Sequence, residues 1–127
     1  MRKRDAARDK KWVRIAKNDD SEYFLDTTSI RTLPNKSKAA WIRLEVIDLN
    51  AYIKRVGLVG SKYHDLSHEL VLREFNCGAH EMGFRTNTSY TTSGNVIETF
   101  NAKEIEMTPI VPDSIGAAML EKVCKGK

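Results

Sequence analysis

The alternation of apolar and polar residues along this chain predicts a series of short β-strands. Residues 12–17 alternate and end at a polar cluster at residues 18–20, after which a second strand begins at residues 22–25. Two such runs separated by a turn cluster are typical of a β-hairpin. Residues 26–36 are rich in Asp, Thr, Ser, Pro and Asn, which favour turns over strand pairing. The start of the chain is therefore predicted to be a hairpin followed by turns.

The clearest strand pattern spans residues 40–48, where two sets of side chains alternate. Successive residues of a strand point to opposite faces of the sheet. One face is predicted to carry Ala40, Ile42, Leu44 and Val46, and the other Trp41, Arg43, Glu45 and Ile47. Residues 49–67 break this alternation with Gly57, Gly60 and Ser61, so they predict an irregular or mobile excursion.

Three further strands follow, and only the end of the chain changes its period. Residues 69–77, 83–90 and 96–101 alternate again, and residues 92–95 form a turn between the last two. After two prolines, Asp113 or Ser114 caps a predicted helix. Its apolar positions are spaced by three and four: Ile115, Ala118, Met119 and Val123. The sequence predicts an α+β domain, an antiparallel meander of about six strands with one C-terminal helix.

The length and composition fit one ordinary globular domain. The chain has 127 residues, of which 41% are hydrophobic and 30% charged. No segment approaches the roughly 18 to 20 consecutive apolar residues of a transmembrane helix. We therefore expect no direct membrane span.

The net charge of +4 comes from the start of the chain. The first eleven residues hold Arg2, Lys3, Arg4, Arg8, Lys10 and Lys11 against Asp5 and Asp9, and the rest is neutral. Residues 1–11 are therefore predicted to be a basic flexible tail ahead of a single domain at residues 12–127, and no nucleic-acid binding is expected. The tail begins like a signal peptide, but no apolar segment follows. Either the protein is cytosolic or its natural leader is absent from this sequence.

The two cysteines, Cys77 and Cys124, are far apart and belong to no Cys-x-x-Cys pair. A disulfide between them would close a long loop, stabilise the fold by about 4 kcal/mol and require an oxidising compartment. Two free buried thiols in a cytosolic protein are the alternative.

Candidate metal and catalytic groups cluster near Cys77. Cys77 and His80 form a Cys-x-x-His pair, and His64 and His68 are four residues apart, so zinc or a Cys-His nucleophile is conceivable in chemical terms. Both need a free Cys77 thiolate, which a disulfide removes. Exposed loop histidines are the simpler interpretation, so we expect no enzyme, no cofactor and no metal.

Five segments occur in a characteristic order along the chain. They are Trp12-Val13, Tyr23 leading to Asp26-Thr27-Thr28-Ser29-Ile30, Ala40-Trp41-Ile42, Glu74-Phe75-Asn76-Cys77, and Pro109-Ile110-Val111-Pro112-Asp113-Ser114-Ile115-Gly116 ahead of Val123-Cys124. Over about residues 12–124 this order resembles the surface-adhesin protein E family. The resemblance implies a bacterial envelope domain in which one disulfide joins Cys77 to Cys124.

The resemblance also implies a function. We expect a non-enzymatic protein-binding module in the periplasm, at the outer-membrane surface or secreted, in the manner of adhesins that bind host matrix or plasma proteins. A structural or assembly component of the envelope, which binds another bacterial protein, is the alternative.

A candidate binding surface follows from the strand pattern. Trp41 lies opposite the Ile42 and Leu44 face, so it is predicted to form an outer apolar patch that the helix or a second subunit covers. A homodimer through the sheet is one use of this patch. Arginines and aromatic residues are favoured at interfaces, so the predicted protein-binding residues are Trp41, Arg43, Arg73 and Arg85.

Overall fold

The structure is a computed structural model that describes residues 12–126. The predicted tail at residues 1–11 lies outside the described residues. The strands are β1 Trp12–Lys17, β2 Ser21–Asp26, β3 Arg31–Thr32, β4 Lys38–Val46, β5 Leu66–Asn76, β6 Glu81–Thr91, β7 Val96–Asn101 and β8 Thr108–Pro109. The helices are α1 Leu49–Val56 and α2 Ile115–Gly126, and short 3-10 turns occupy Thr27–Ser29 and Ser61–Tyr63.

All the strands form one antiparallel sheet. The main path runs β1-β2-β4-β5-β6-β7, while β3 pairs with β4 and β8 pairs with β6. Strands that follow one another along the chain are mostly neighbours, so the predicted antiparallel meander is confirmed. The predicted hairpin at the start of the chain is β1 and β2.

The two faces of the sheet differ in what covers them. One face carries Leu25, Ile42 and Val71, which the register places side by side on β2, β4 and β5. Both helices pack on this side through Tyr52 of α1 and Met119 and Val123 of α2. We call it the helix face. The predicted shared face of Ala40, Ile42, Leu44 and Val46 is confirmed. The exposed fractions of the first three are 0%, 1% and 7%, and Val46 is partly buried against the same core.

The interpretation of residues 49–67 as irregular is wrong in part, because α1 occupies their first eight residues. The Asp48 side chain caps the helix by accepting a hydrogen bond from the Ala51 N–H at 3.1 Å. Gly57 ends it in the left-handed conformation, with φ of 78°, and its N–H donates to the Ile53 carbonyl. Farther along, Tyr63 is buried in a 3-10 turn, so this segment also contributes to the core.

The C-terminal helix α2 is fixed at both ends. Of its two predicted caps, Ser114 is the one used, since its Oγ accepts a hydrogen bond from the Ala117 N–H at 3.1 Å. Near the other end, Cys124 forms a disulfide with Cys77, which directly follows β5. The Cα atoms of the two cysteines are 5.9 Å apart. The disulfide implied by the family resemblance is confirmed.

Candidate functional site

An apolar row crosses the sheet on the side opposite the helices. Trp41 pairs with Leu72 of β5, and Arg43 pairs with Phe24 of β2 and Leu70 of β5. These side chains are half-buried, although both described helices pack on the other side of the sheet. We call this surface, formed by Phe24, Trp41, Arg43, Leu70 and Leu72, the open face.

Arginines on the open face are held by carboxylates. Arg43 forms an ion pair with Glu45 two residues along the same strand. Arg85 of β6 donates two hydrogen bonds to Oε2 of Glu74, from Nε at 3.0 Å and from Nη2 at 2.5 Å. Glu74 is buried, whereas 54% of the Arg85 side chain is exposed. The carboxylate thus fixes the Arg85 guanidinium at the surface, where part of it remains accessible to a partner.

The structure brings three of the four predicted binding residues to one face and separates the fourth. Trp41 and Arg43 share a face by strand alternation, and Arg85 joins them through its contact with Glu74. A bulge in the β5–β6 pairing between Leu72 and Arg73 makes this possible by shifting β6 by one residue. Arg73 instead pairs with Ala40 and belongs to the helix face.

Arg73 lies in a cavity of about 250 Å³ between α1, α2 and the sheet. Polar groups of five further residues line this cavity: Tyr23, Tyr52, Arg55, Glu69 and Asn87. Glu69 accepts a hydrogen bond from the Tyr52 hydroxyl at 3.0 Å and a longer one from Asn87 Nδ2 at 3.4 Å. The cavity therefore combines two guanidinium groups, a carboxylate, an amide and two phenols between the helices and the sheet.

Burial changes the protonation equilibria of this cluster. It raises the pKa of Glu69 above its usual range, and the hydrogen bonds from Tyr52 and Asn87 offset this only in part. Burial is also the main reason that the pKa of Tyr52 is raised, with the adjacent Glu69 carboxylate adding to the effect. The pKa of the Arg73 guanidinium is lowered by the same loss of water. Sequence analysis identified only Arg73 of these residues.

The residues considered for zinc or nucleophilic catalysis are not brought together as a site. Cys77 is oxidised in the disulfide, so it is neither a thiolate ligand nor a nucleophile. His68 stacks on Tyr90 with ring centroids 4.8 Å apart, and His64 Nδ1 lies 3.1 Å from the Ser61 carbonyl. Within residues 12–126, no three His, Cys, Asp or Glu residues are grouped so that they could hold a metal ion. In the same range, no helix has the length and apolar character needed to cross a bilayer.

Comparison with known proteins places this fold in a family. The sequence matches the family model of the surface-adhesin protein E over residues 12–125, and the chain belongs to that family. Among curated protein sequences, none matches.

Solved structures with a similar fold come from Haemophilus influenzae. Crystal form II of its protein E has a TM-score of 0.60 and 15% identity, over 91% of this chain and 87% of that chain. The selenomethionine form of the same protein has a TM-score of 0.60 and 13% identity, over 92% of this chain and 89% of that chain. Protein E from non-typeable Haemophilus influenzae has a TM-score of 0.53 and 13% identity, over 91% of this chain and 76% of that chain. At this identity the likeness shows the fold.

Family membership supports a surface adhesin role and a location at the surface of the cell envelope. It also points to a protein that acts by binding and not by catalysis. The disulfide agrees with this location, since such bonds persist in oxidising compartments.

Proposed function

We propose that this protein is a non-enzymatic adhesin that binds an extracellular matrix or plasma protein of the host through the open face. The observation that carries the proposal is the row of Phe24, Trp41, Leu70 and Leu72 around Arg43, on a sheet face that neither described helix covers. The function requires the protein to be secreted or displayed at the outer-membrane surface.

The chemistry of the open face suits protein recognition. Tryptophan and arginine are the residues that most often carry the binding energy of protein interfaces, especially near the centre of the buried patch. Trp41 and Arg43 lie on β4, which is hydrogen-bonded on both sides by β2 and β5. The side chains are thus presented by the rigid middle of the sheet, and little conformational entropy is lost when a partner binds.

The charges of the open face favour a protein partner over a polyanion. Its arginines are matched by nearby carboxylates, as in the pairs Arg43–Glu45 and Arg85–Glu74. A surface for nucleic acid or sulfated polysaccharide instead needs cations in excess. We therefore expect an apolar contact with a polar rim, and only weak dependence of the affinity on salt.

The experiment measures binding of the purified protein to immobilised human plasma and to decellularised extracellular matrix by biolayer interferometry. Trp41→Ala and Arg43→Ala are each expected to weaken binding about tenfold or more, as hot-spot truncations do. The matched controls are Val59→Ala, an apolar residue that is 84% exposed, and Lys54→Ala, an exposed cation on α1. Circular dichroism and thermal unfolding establish that each variant is folded.

Three outcomes would contradict the proposal. The first is binding of the Trp41 and Arg43 variants with wild-type affinity, and the second is equal weakening by the controls. The third is a dimer that the Trp41 variant abolishes, with no affinity for matrix or plasma. In that case a second copy of the chain occupies the open face.

A further inference from the structure

A cleft of about 280 Å³ opens on the helix face, between α2 and the hairpin of β1 and β2. Val13 pairs with Leu25 across this hairpin, and Ile15 follows Val13 by two residues, so the three side chains share one face. Ile30, just after the 3-10 turn that follows β2, extends this surface. The floor of the cleft is therefore a continuous apolar strip.

Part of this apolar floor is accessible to a ligand. Val13 is 40% exposed and Ile15 and Ile30 are half-buried, while Leu25 at the base is buried. Strand β1 is the last strand on this side of the sheet, so no further described strand closes the cleft there. The floor can therefore be covered by a molecule that enters from solvent.

Two lysines of α2 form the rim of the cleft. Lys122 and Lys125 both line it, and a spacing of three residues puts them on one side of the helix. A lysine side chain can lay its methylene stem along apolar surface while its ammonium group stays in water. Both lysines are exposed, and the Lys125 side chain is 75% exposed. Their charges are thus within reach of a ligand that lies on the floor.

The positive charge of the rim is not neutralised within the cleft. None of the described residues that line the cleft is acidic. Lys122 takes part in none of the described ion pairs. Lys125 lies 3.5 Å from a carboxylate oxygen of Glu121, but these side chains are 75% and 67% exposed, and such pairs are weak. An anionic group at the rim can therefore replace Glu121 as the partner of Lys125.

We propose that this cleft binds one molecule of a fatty acid. The hydrocarbon chain lies on the floor formed by Val13, Ile15 and Ile30, and the carboxylate lies between Lys122 and Lys125. Apolar walls with a few convergent polar groups are typical of sites for small ligands. A cationic segment such as residues 1–11, with its net charge of +4, would be repelled by the lysines. The site lies on the helix face, so it is independent of the function proposed for the open face.

The volume of the cleft limits the length of the chain. A volume of about 280 Å³ corresponds to about nine groups of the size of a water molecule, and a methylene group is of similar size. One chain of about eight to ten carbons therefore fits. The two longer chains of a membrane phospholipid do not, so the site favours a free fatty acid over a lipid in a bilayer.

Decanoate is a suitable probe at concentrations below its micelle threshold. The experiment titrates the full chain with sodium decanoate and follows amide chemical shifts in 1H-15N spectra, with thermal unfolding in parallel. We expect saturable shifts at residues 13–15, 27–30 and 122–125, none at residues 96–101, and a rise of the melting temperature with ligand.

A series of ligands separates the contribution of the chain from that of the charge. From butanoate to decanoate, each added methylene is expected to strengthen binding by up to about fourfold, with little further gain in dodecanoate once the floor is covered. Decyltrimethylammonium has the same chain with a cationic head group, so it is expected to bind more weakly than decanoate.

Two sets of variants test the assignment of the residues. Lys122→Gln with Lys125→Gln removes both charges at exposed positions and is expected to weaken decanoate binding about five- to tenfold. Lys54→Gln with Lys103→Gln, also exposed, is the matched control.

Val13→Glu places a carboxylate on the floor, where it repels the ligand and can itself pair with the lysines, so it is expected to abolish saturable binding. Val59→Glu, at a position that is 84% exposed, is its control. Circular dichroism establishes that each variant is folded.

The proposal is overturned if the double lysine variant binds decanoate as the wild type does, or if the matched control weakens binding equally. It is also overturned if no saturable shift occurs, or if decyltrimethylammonium binds as tightly as decanoate. Binding to phosphatidylglycerol vesicles without binding of decanoate would show that the rim contacts a membrane surface instead. A dimer that Val13→Glu dissociates, with no affinity for decanoate, would show that a second copy of the chain occupies the cleft.

Discussion

Arg55 of α1 donates two hydrogen bonds to the buried carboxylate of Asp20, from Nε to Oδ2 at 2.7 Å and from Nη2 to Oδ1 at 3.0 Å. Asp20 lies in the turn between β1 and β2, and its backbone carbonyl accepts from the N–H groups of Ile47 and Asp48. One residue thereby joins the first hairpin, the end of β4 and the start of α1.

Asp20→Asn is expected to lower the free energy of unfolding by about 1–2 kcal/mol near pH 7, because it weakens charge-assisted hydrogen bonds. The Arg55 hydrogen bonds lower the pKa of Asp20 below its usual value of 3.8. The stabilisation is therefore present above pH 3.8 and is lost as the pH falls through the pKa of the folded state. Urea unfolding at several pH values tests both points. Asp19→Asn, at the exposed neighbouring position, is the control, and an equal loss there would contradict the prediction.

Loss of the disulfide should cost much of the stability of the domain. The bond joins residues 47 positions apart, and closing such a loop contributes about 4 kcal/mol in the chain-entropy model. Cys77→Ala with Cys124→Ala is expected to lower the urea midpoint strongly, and reductant should do the same to the wild type. Alkylation of either sulfur in native protein without reductant would show that the bond is absent.

Glu69→Gln should not lower the free energy of unfolding at neutral pH, although Glu69 is buried. Burial raises the pKa of Glu69, so its protonated form is favoured by folding. The stability that this form contributes is fully present below pH 4.5, the usual pKa of the group, and is lost as the pH rises through the raised pKa of the folded state. Gln stays neutral and still accepts from Tyr52, so we expect the variant to be up to about 1 kcal/mol more stable near pH 7. The difference should vanish below pH 4.5.

Urea unfolding of the Glu69 variant at pH values on both sides of 4.5 provides the test. Glu104→Gln, an exposed site, is the matched control and should change stability little. A clear destabilisation of Glu69→Gln at neutral pH would mean that the ionised carboxylate is the favoured form.

Gly83→Ala should destabilise the protein although it adds only a methyl group. A Cβ at Gly83 would lie 2.7 Å from the Glu106 carbonyl oxygen and 2.9 Å from Ile105 Cγ2, so the backbone must move. Such overpacking costs about 1–3 kcal/mol. Gly78→Ala is the control, since the nearest atom to its Cβ is 3.8 Å away. Equal midpoints for the two variants in urea unfolding would contradict the prediction.

The alternation of strand residues was sufficient to predict most of the sheet. Residues 40–48 were assigned to two faces, and the burial of Ala40, Ile42 and Leu44 follows that assignment. The alternation of buried and less buried residues holds along β4 because this strand lies between β2 and β5 and packs only one of its faces on the core. Val96–Asn101 was predicted with the same bounds as β7.

The sequence pattern does not reveal helix α1, because eight residues make only about two turns, too few for a period of 3.6 to stand out. The signals were nevertheless present. Asp48 precedes the helix as a cap, Gly57 follows it, and Leu49, Tyr52 and Ile53 are spaced by three and four. The glycine that suggested an irregular segment is the residue that ends the helix.

The grouping of the arginines was beyond sequence analysis because it depends on one bulge. Strand alternation puts Arg73 on the same face of β5 as Val71 and Phe75, away from Leu70 and Leu72, and so apart from the other predicted binding residues. The shift at Leu72 and Arg73 then decides on which face Arg85 emerges, and no sequence pattern marks it. The cavity had one signal in the sequence, since Glu69 and Arg73 interrupt the apolar face of β5 with charged groups.

The position of the sulfur–sulfur bond decides how this domain carries mechanical load. Tension that enters the chain on the C-terminal side of Cys124 crosses directly to Cys77 and so reaches β5 near the middle of the sheet. The polypeptide between the two cysteines, which includes β6, β7 and most of α2, is bypassed and bears no pull. A pull applied to the C-terminus is therefore expected to leave α2 folded for as long as the disulfide is intact.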